Sequence, residues 1–442
     1  MEKTDFTEMD ITRAIRYIAL PSIVGMVFTT MYNVVDMFWV GTLGYQQIAA
    51  VGLFGIFFEF AIIFNEVVGT GSMALIARHY GARNYEKVND VVKQTLFLKL
   101  FVAIIFCCVG VFFVEYILIA LGAQGDTIQY GISYGSIMSF GFLFMLSGLT
   151  LFTAMRGVGD AKTPMKIMIM TNLLNMVLDP LFIFVLNLGI AGAAAASVVS
   201  QMVAFGVGIF LVTTGKHIIH IDTAVRFDFN IMKTMLAIGI PTGAETFIRN
   251  IANMVSIRII AGFGMTAVAG FQIFVRLVGI AVIPLFGLVL ASATLVGHNL
   301  GAGKPQQAEK TALKASYMGA LTMVVVAVVY FVFSEWLVSF FSDTEEVIKV
   351  GSSAFRMISP FMVFAGLYYP LNGAFFGSGD TKPPMVITFL STFCFQIPVM
   401  IIASQVMGEN GVFLGFGSAF LVGFCIMIVW FFRGTWKQKK LE

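Results

Sequence analysis

From about residue 17 to residue 432 the chain alternates long apolar runs with short polar connections. Runs of 18 or more apolar residues with few charges read as membrane-spanning helices. Twelve can be placed, at roughly 17–41, 47–76, 95–120, 130–155, 165–186, 191–214, 234–261, 266–296, 312–337, 351–376, 384–406 and 411–432. The pattern also repeats: "GVGDAKTPM" at 157–165 returns as "GSGDTKPPM" at 377–385, "GAR" at 81–83 as "GAG" at 301–303, and "LPS" at 20–22 as "IPT" at 240–242. All three pairs share an offset of 220 residues. Six spans per copy is an even number, so the copies run in the same direction and should be related by an axis along the membrane normal. The predicted fold is therefore an all-α polytopic membrane protein, with twelve transmembrane helices in two six-helix lobes related by a pseudo-two-fold. The expected domains are 1–214, a linker at 215–233, and 234–442.

Composition sharpens the class. Of 442 residues, 58% are hydrophobic and 12% charged, against about 45–50% and 25% for soluble domains. The distribution of positive charge orients the spans. Twenty-one of the 27 Lys and Arg residues, from Lys3 through Arg226 to Lys440, fall in one alternating set of connections, and the other set carries only Lys349. The positive-inside rule then places both termini and the linker in the cytoplasm of a cell-membrane protein. The first ten residues, MEKTDFTEMD, lack the short apolar core of a cleaved signal peptide. Cys107, Cys108, Cys394 and Cys425 lie inside apolar runs with neither metal spacing nor a disulfide framework.

Polar residues inside the spans are the informative exceptions. Thr29, Tyr32, Asn33 and Asp36 fall at i, i+3, i+4 and i+7, one stripe on an apolar helix. Asn172, Asn175 and Asp179 form a second stripe in span 5. Pro180 follows directly, removing a backbone donor and crowding the Met176 carbonyl. A carboxylate at the bilayer centre costs about 2.5–3.5 kcal/mol, so such acids are functional candidates by default. Carboxylates, amide oxygens and a loose carbonyl suit either a cation or a proton relay, and two nearby buried acids titrate as a pair. The alternative is that Asp36 bonds Asn175 only to hold two helices together.

With "YNVVDMFWVGTLG" in span 1, "RGVGDAKTPM" after span 4, "NMVLDPLFI" in span 5 and the duplicated layout, the chain resembles the multidrug and toxic compound extrusion (MATE) family over nearly its whole length. The resemblance implies a secondary-active antiporter that exports organic, often cationic compounds in exchange for protons or sodium ions, by rocker-type alternating access. It maps the cation-coupling site onto Asp36, Asp179, Asn175, Ser197 and Asn33, with Asp36, Asp179 and Asn175 as metal ligands if sodium is the coupling ion. Substrate contacts map onto Tyr32, Tyr134, Phe28 and Phe152. Two departures stand out. Phe152 replaces an asparagine of some relatives, and Arg249 occupies a span-7 glutamate position with Glu245 one turn earlier, which speaks against a sodium site in the second lobe.

The remaining intramembrane charges divide. Glu59, Glu66 and Arg276 read either as an inter-lobe gate or as locally paired groups. Glu245 and Arg249 should pair at i, i+4, and Lys99 should pair locally or snorkel. Asp160 and Asp380 should cap tight cytoplasmic turns. No enzyme is expected: "GISYG" at 131–135 lacks the strand-to-helix context of a nucleophile elbow, and "GAGKP" at 301–305 breaks the phosphate-loop pattern. Expected partners are small-molecule substrates and the lipid bilayer, without nucleic acid and without a cofactor beyond the coupling ion, and the chain is expected to be a monomer. The rival reading is a flippase for anionic lipid-linked precursors, with arginines binding phosphate.

Overall fold

A computed structural model describes residues 5–221 and 227–441. Lys3, Arg226 and the linker residues 222–226 lie outside the described residues. The first half contains α1 (Ile11–Leu43), α2 (Tyr45–Gly81), α3 (Tyr85–Ala120), α4 (Asp126–Gly157), α5 (Lys162–Pro180) and α6 (Ile190–Thr213). The second contains α7 (Phe229–Ile260), α8 (Met265–Ala281), α9 (Ile283–Gly301), α10 (Pro305–Val332), the short α11 (Ser334–Ser339), α12 (Glu345–Ser378), α13 (Lys382–Phe389), α14 (Ile397–Met407) and α15 (Glu409–Arg433).

Among the described residues eleven helical segments are long and apolar enough to cross a membrane. The long α7, 32 residues with Glu245, Arg249 and Arg258 along it, falls outside that set and completes the expected twelve. Local chemistry explains the irregularities. Proline at the start of a helix is tolerated because its missing N–H would be unpaired anyway. Accordingly the expected span 8 is two helices, broken at Val282 with Pro284 opening α9. The expected span 11 is α13 and α14 joined by a π-helical stretch, Leu390–Gln396.

The contacts gather into two compact units, one built on Leu20–Gly239 and the other on Phe6–Ala19 with Ile240–Glu442. The divisions fall just before Pro21 and Pro241, again 220 residues apart. The first turns of α1 and the residues before it thus pack with the second half of the chain: the Phe6 and His298 rings meet tilted at 5.7 Å, and Lys304 Nζ donates to Thr7 Oγ1 at 3.0 Å. Reciprocally, the first turns of α7 pack in the first unit, where Thr95 Oγ1 donates to Met235 Sδ at 3.3 Å. Two glycines make this approach possible: a Cβ at Gly71 would collide with the Met235 carbonyl, and one at Gly239 with the Val67 carbonyl. Small residues at such crossings let backbones touch where lipid supplies no hydrophobic drive.

Each unit also ties down the segment that follows its sixth span. In the first, His217 Nε2 lies 3.2 Å from Asp160 Oδ2, and His220 N donates to Asn89 Oδ1 at 3.1 Å. Asp160 also accepts from Lys162 N and Thr163 N, capping α5 as expected. Burial would raise this carboxyl, but hydrogen bonds from His217 and Thr163 outweigh it and hold Asp160 below its ordinary range. In the second unit Trp436 is fully buried against Phe431 at 5.1 Å, and Lys437 Nζ bonds Glu309 Oε2 at 2.8 Å. Glu309 and Lys437 stand 220 residues beyond Asn89 and His217, so the repeat keeps the strap while changing its chemistry.

Candidate functional site

The first unit brings the two polar stripes together. Tyr32 OH lies 3.0 Å from Ser197 Oγ of α6, and Asn172 Nδ2 donates to Thr29 Oγ1 at 3.2 Å. In the amide orientation that satisfies both neighbours, Asn175 donates to Asp179 Oδ2 at 3.0 Å and accepts from Ser197 N at 3.1 Å. Asn175 and Asp179 are one turn apart on α5, the spacing at which helical side chains meet. Asp179 is fully buried. Asp36 stands within its electrostatic reach, as do Tyr32 and Tyr134. Asp36 Oδ1 is buried and accepts no hydrogen bond from the described residues. A buried charged acceptor without a donor is costly, and a hard cation or a proton would satisfy it.

Pro180 is the last residue of α5. The backbone after it widens into a π turn, Leu181–Val185, in which Leu186 N bonds Leu181 O at 2.9 Å. Such turns gather at functional sites. Here one directly follows Asp179.

The other expected site residues are less concentrated. Tyr134 and Phe152 are buried, and Tyr134 packs edge-on to Phe54 at 5.7 Å, within the helix core. Phe28 is half-buried and Asn33 exposed. Glu59 and Arg276 are exposed, and Glu66 is half-buried with a polar partner.

Of the two outcomes expected for Lys99, the structure shows pairing. This lysine does not snorkel: it is 1% exposed, and its Nζ donates to Asn65 Oδ1 at 2.8 Å on the neighbouring helix. Spacing along one helix could not reveal a partner on another.

The second unit does not copy the acid site. At the repeat offset Asp36 becomes Ser256, whose hydroxyl bonds Ala252 O at 2.7 Å, and Asp179 becomes Val399. Glu245 and Arg249 form the expected ion pair, with Glu245 Oε1 also accepting from Thr388 Oγ1 at 3.2 Å. A cavity of about 270 Å³ opens beside Arg249.

Comparison with known proteins follows the same lines. The family described as MatE matches residues 21–181 and 241–402, once in each half. A probable multidrug resistance protein YpnP of Bacillus subtilis is 26% identical over 100% of this chain and 99% of its own length. The probable multidrug resistance protein NorM of Thermotoga maritima is 26% identical over 97% of this chain and 94% of its own. Among solved structures, the outward-facing conformation of a multidrug resistance MATE family transporter of the MOP superfamily superimposes with a TM-score of 0.93 at 25% identity. It covers 99% of this chain and 100% of that one.

Proposed function

The chain belongs to the MatE family, and we propose that it works as a secondary-active multidrug efflux antiporter exporting organic cations in exchange for protons or sodium ions. The observation that supports this reading is two carboxylates, Asp36 and Asp179, within electrostatic reach of each other in a membrane helix bundle, with Asp36 Oδ1 buried and accepting no hydrogen bond from the described residues. Such a pair is held at a cost of several kcal/mol unless it binds something positive. Proton or sodium entry lowers the negative charge carried by α1 and α5, favouring whichever arrangement of the unit buries the less charged site more tightly. A ligand shifts a conformational equilibrium only through such differential affinity.

Substrate belongs beside the same acids. Tyr32 and Tyr134 lie within electrostatic reach of the carboxylates; with Phe28 and Phe152 they would offer aromatic faces, each cation–π contact being worth about 0.5–2 kcal/mol. Flat lipophilic monocations fit this combination and compete with the coupling ion for one charge site. Export then proceeds by rocker-type alternating access, in a monomer of the cell membrane with both termini cytoplasmic.

The test is dye efflux from proteoliposomes with pH and sodium gradients imposed separately. One gradient should drive export of an ethidium-like cation, and Asp36→Asn and Asp179→Asn should each abolish it. Export at the wild-type rate by both variants would remove the coupling assignment.

A further inference from the structure

Divergence between the repeats leaves the second unit with a cavity of opposite character. Its about 270 Å³ is bounded by α7, α8, α12 and α15 and the π stretch after α13. Among the described residues Arg249 is the one charged residue on its lining, which includes no Asp or Glu. At the repeat offset Arg249 replaces Thr29, which in the first unit accepts from Asn172 and donates to Gly25 O. The Arg249 side chain is 42% exposed whereas its partner Glu245 is 1% exposed. Thr388 Oγ1 also donates to the carboxylate, and Tyr368 OH lies 3.2 Å from Thr388 Oγ1. The ion pair is therefore a fixed dipole with its positive end at the cavity wall.

Five aromatic side chains, Phe274, Tyr368, Tyr369, Phe416 and Phe420, share the wall with aliphatic and small polar residues. Phe274 and Phe416 meet edge-on at 5.9 Å, and Tyr369 and Phe420 at 6.5 Å. Gln396 and Asn253 add amides. An engineered cavity of about 150 Å³ holds benzene, so this volume suits two fused rings. A guanidinium recognises carboxylate and related oxyanions through paired donors and stacks on aromatic faces.

We infer that this cavity binds a small aromatic monoanion, a bicyclic aryl carboxylate or sulfonate, with its rings among Phe274, Phe416 and Phe420 and its charge on Arg249. This site is separate from the acid pair of the first unit, and its occupancy requires neither Asp36 nor Asp179. A cation in the same place would meet only the positive end of the dipole.

Equilibrium dialysis of the full chain in detergent micelles tests this with 2-naphthoate, neutral 2-naphthamide and cationic 2-naphthylmethylamine. Naphthoate should bind saturably at one site, about tenfold or more tighter than the amine. Glu245→Gln should strengthen naphthoate binding several-fold by removing the negative charge behind Arg249, a gain that a merely structural ion pair would not produce. Arg249→Gln alone would strand a buried carboxylate, so the double variant E245Q/R249Q is the informative loss. It keeps an amide–amide pair and should weaken naphthoate about tenfold while leaving naphthamide unchanged. Ala419→Trp, which fills the cavity, should abolish binding of all three. Absence of saturable naphthoate binding to the wild type, equal binding to the double variant, or preference for the amine would each overturn the proposal. The measurement uses no ion gradient, so its failure is distinguishable from failure of the antiport reading.

Discussion

Asp179→Asn separates a coupling role from a structural one, because the two predict opposite balances of activity and stability. In the wild type Asp179 is fully buried and accepts one hydrogen bond from Asn175 at 3.0 Å. The asparagine keeps one amide oxygen, which can take the place of Oδ2 and accept from Asn175, leaving the bond between Asn175 and Ser197 N intact. What is lost is the difference between a charged and a neutral acceptor, about 1 kcal/mol. What is gained is relief from burying a carboxylate, about 2.5–3.5 kcal/mol at mid-membrane. The variant should therefore be at least as stable as the wild type in a detergent melt, while gradient-driven dye export falls to background. Asp179→Leu, which leaves the Asn175 amide without its acceptor, should instead lose about 1–3 kcal/mol. A destabilised Asp179→Asn protein that still exports at the wild-type rate would refute the reasoning on both counts.

Asp160→Asn should lower the thermal midpoint at neutral pH, with the charge-assisted bond to His217 worth about 1.5–3 kcal/mol. Because this carboxyl sits below its ordinary range when folded, its contribution is present above the unfolded carboxylate pKa and disappears as pH falls through the folded one. The gap between variant and wild type should close in acid, as melts across a pH series will register. Gly239→Ala should cost about 1–3 kcal/mol by forcing α7 off the Val67 carbonyl, seen as a lower midpoint with unchanged insertion. Trp436→Ala should cost about 3–5 kcal/mol by emptying the pocket under the second strap, and an unchanged melt would show the strap to be dispensable. Single cysteines in the 121–127 and 343–349 connections should react with impermeant thiol reagents on intact cells, while those at 83–89 or 304–309 should not. The reverse pattern would invert the topology.

Along the chain alone, apolar run length and the 220-residue repeat determined a duplicated bundle of membrane helices, because lipid leaves the backbone few ways to satisfy its hydrogen bonds. Helical spacing put Asp36 on one stripe and Asn175 with Asp179 on another, and it paired Glu245 with Arg249. These are relations within a single helix, which a periodicity of 3.6 residues suffices to show. Only the tertiary structure decided relations between helices. It set Tyr32 against Ser197, Lys99 against Asn65 and His217 against Asp160, contacts spanning 34 to 165 residues of sequence. It also decided which member of the Glu245–Arg249 pair faces open space. Sequence spacing treats the two alike, but their neighbours do not: Thr388 closes around the carboxylate, and the cavity opens on the guanidinium.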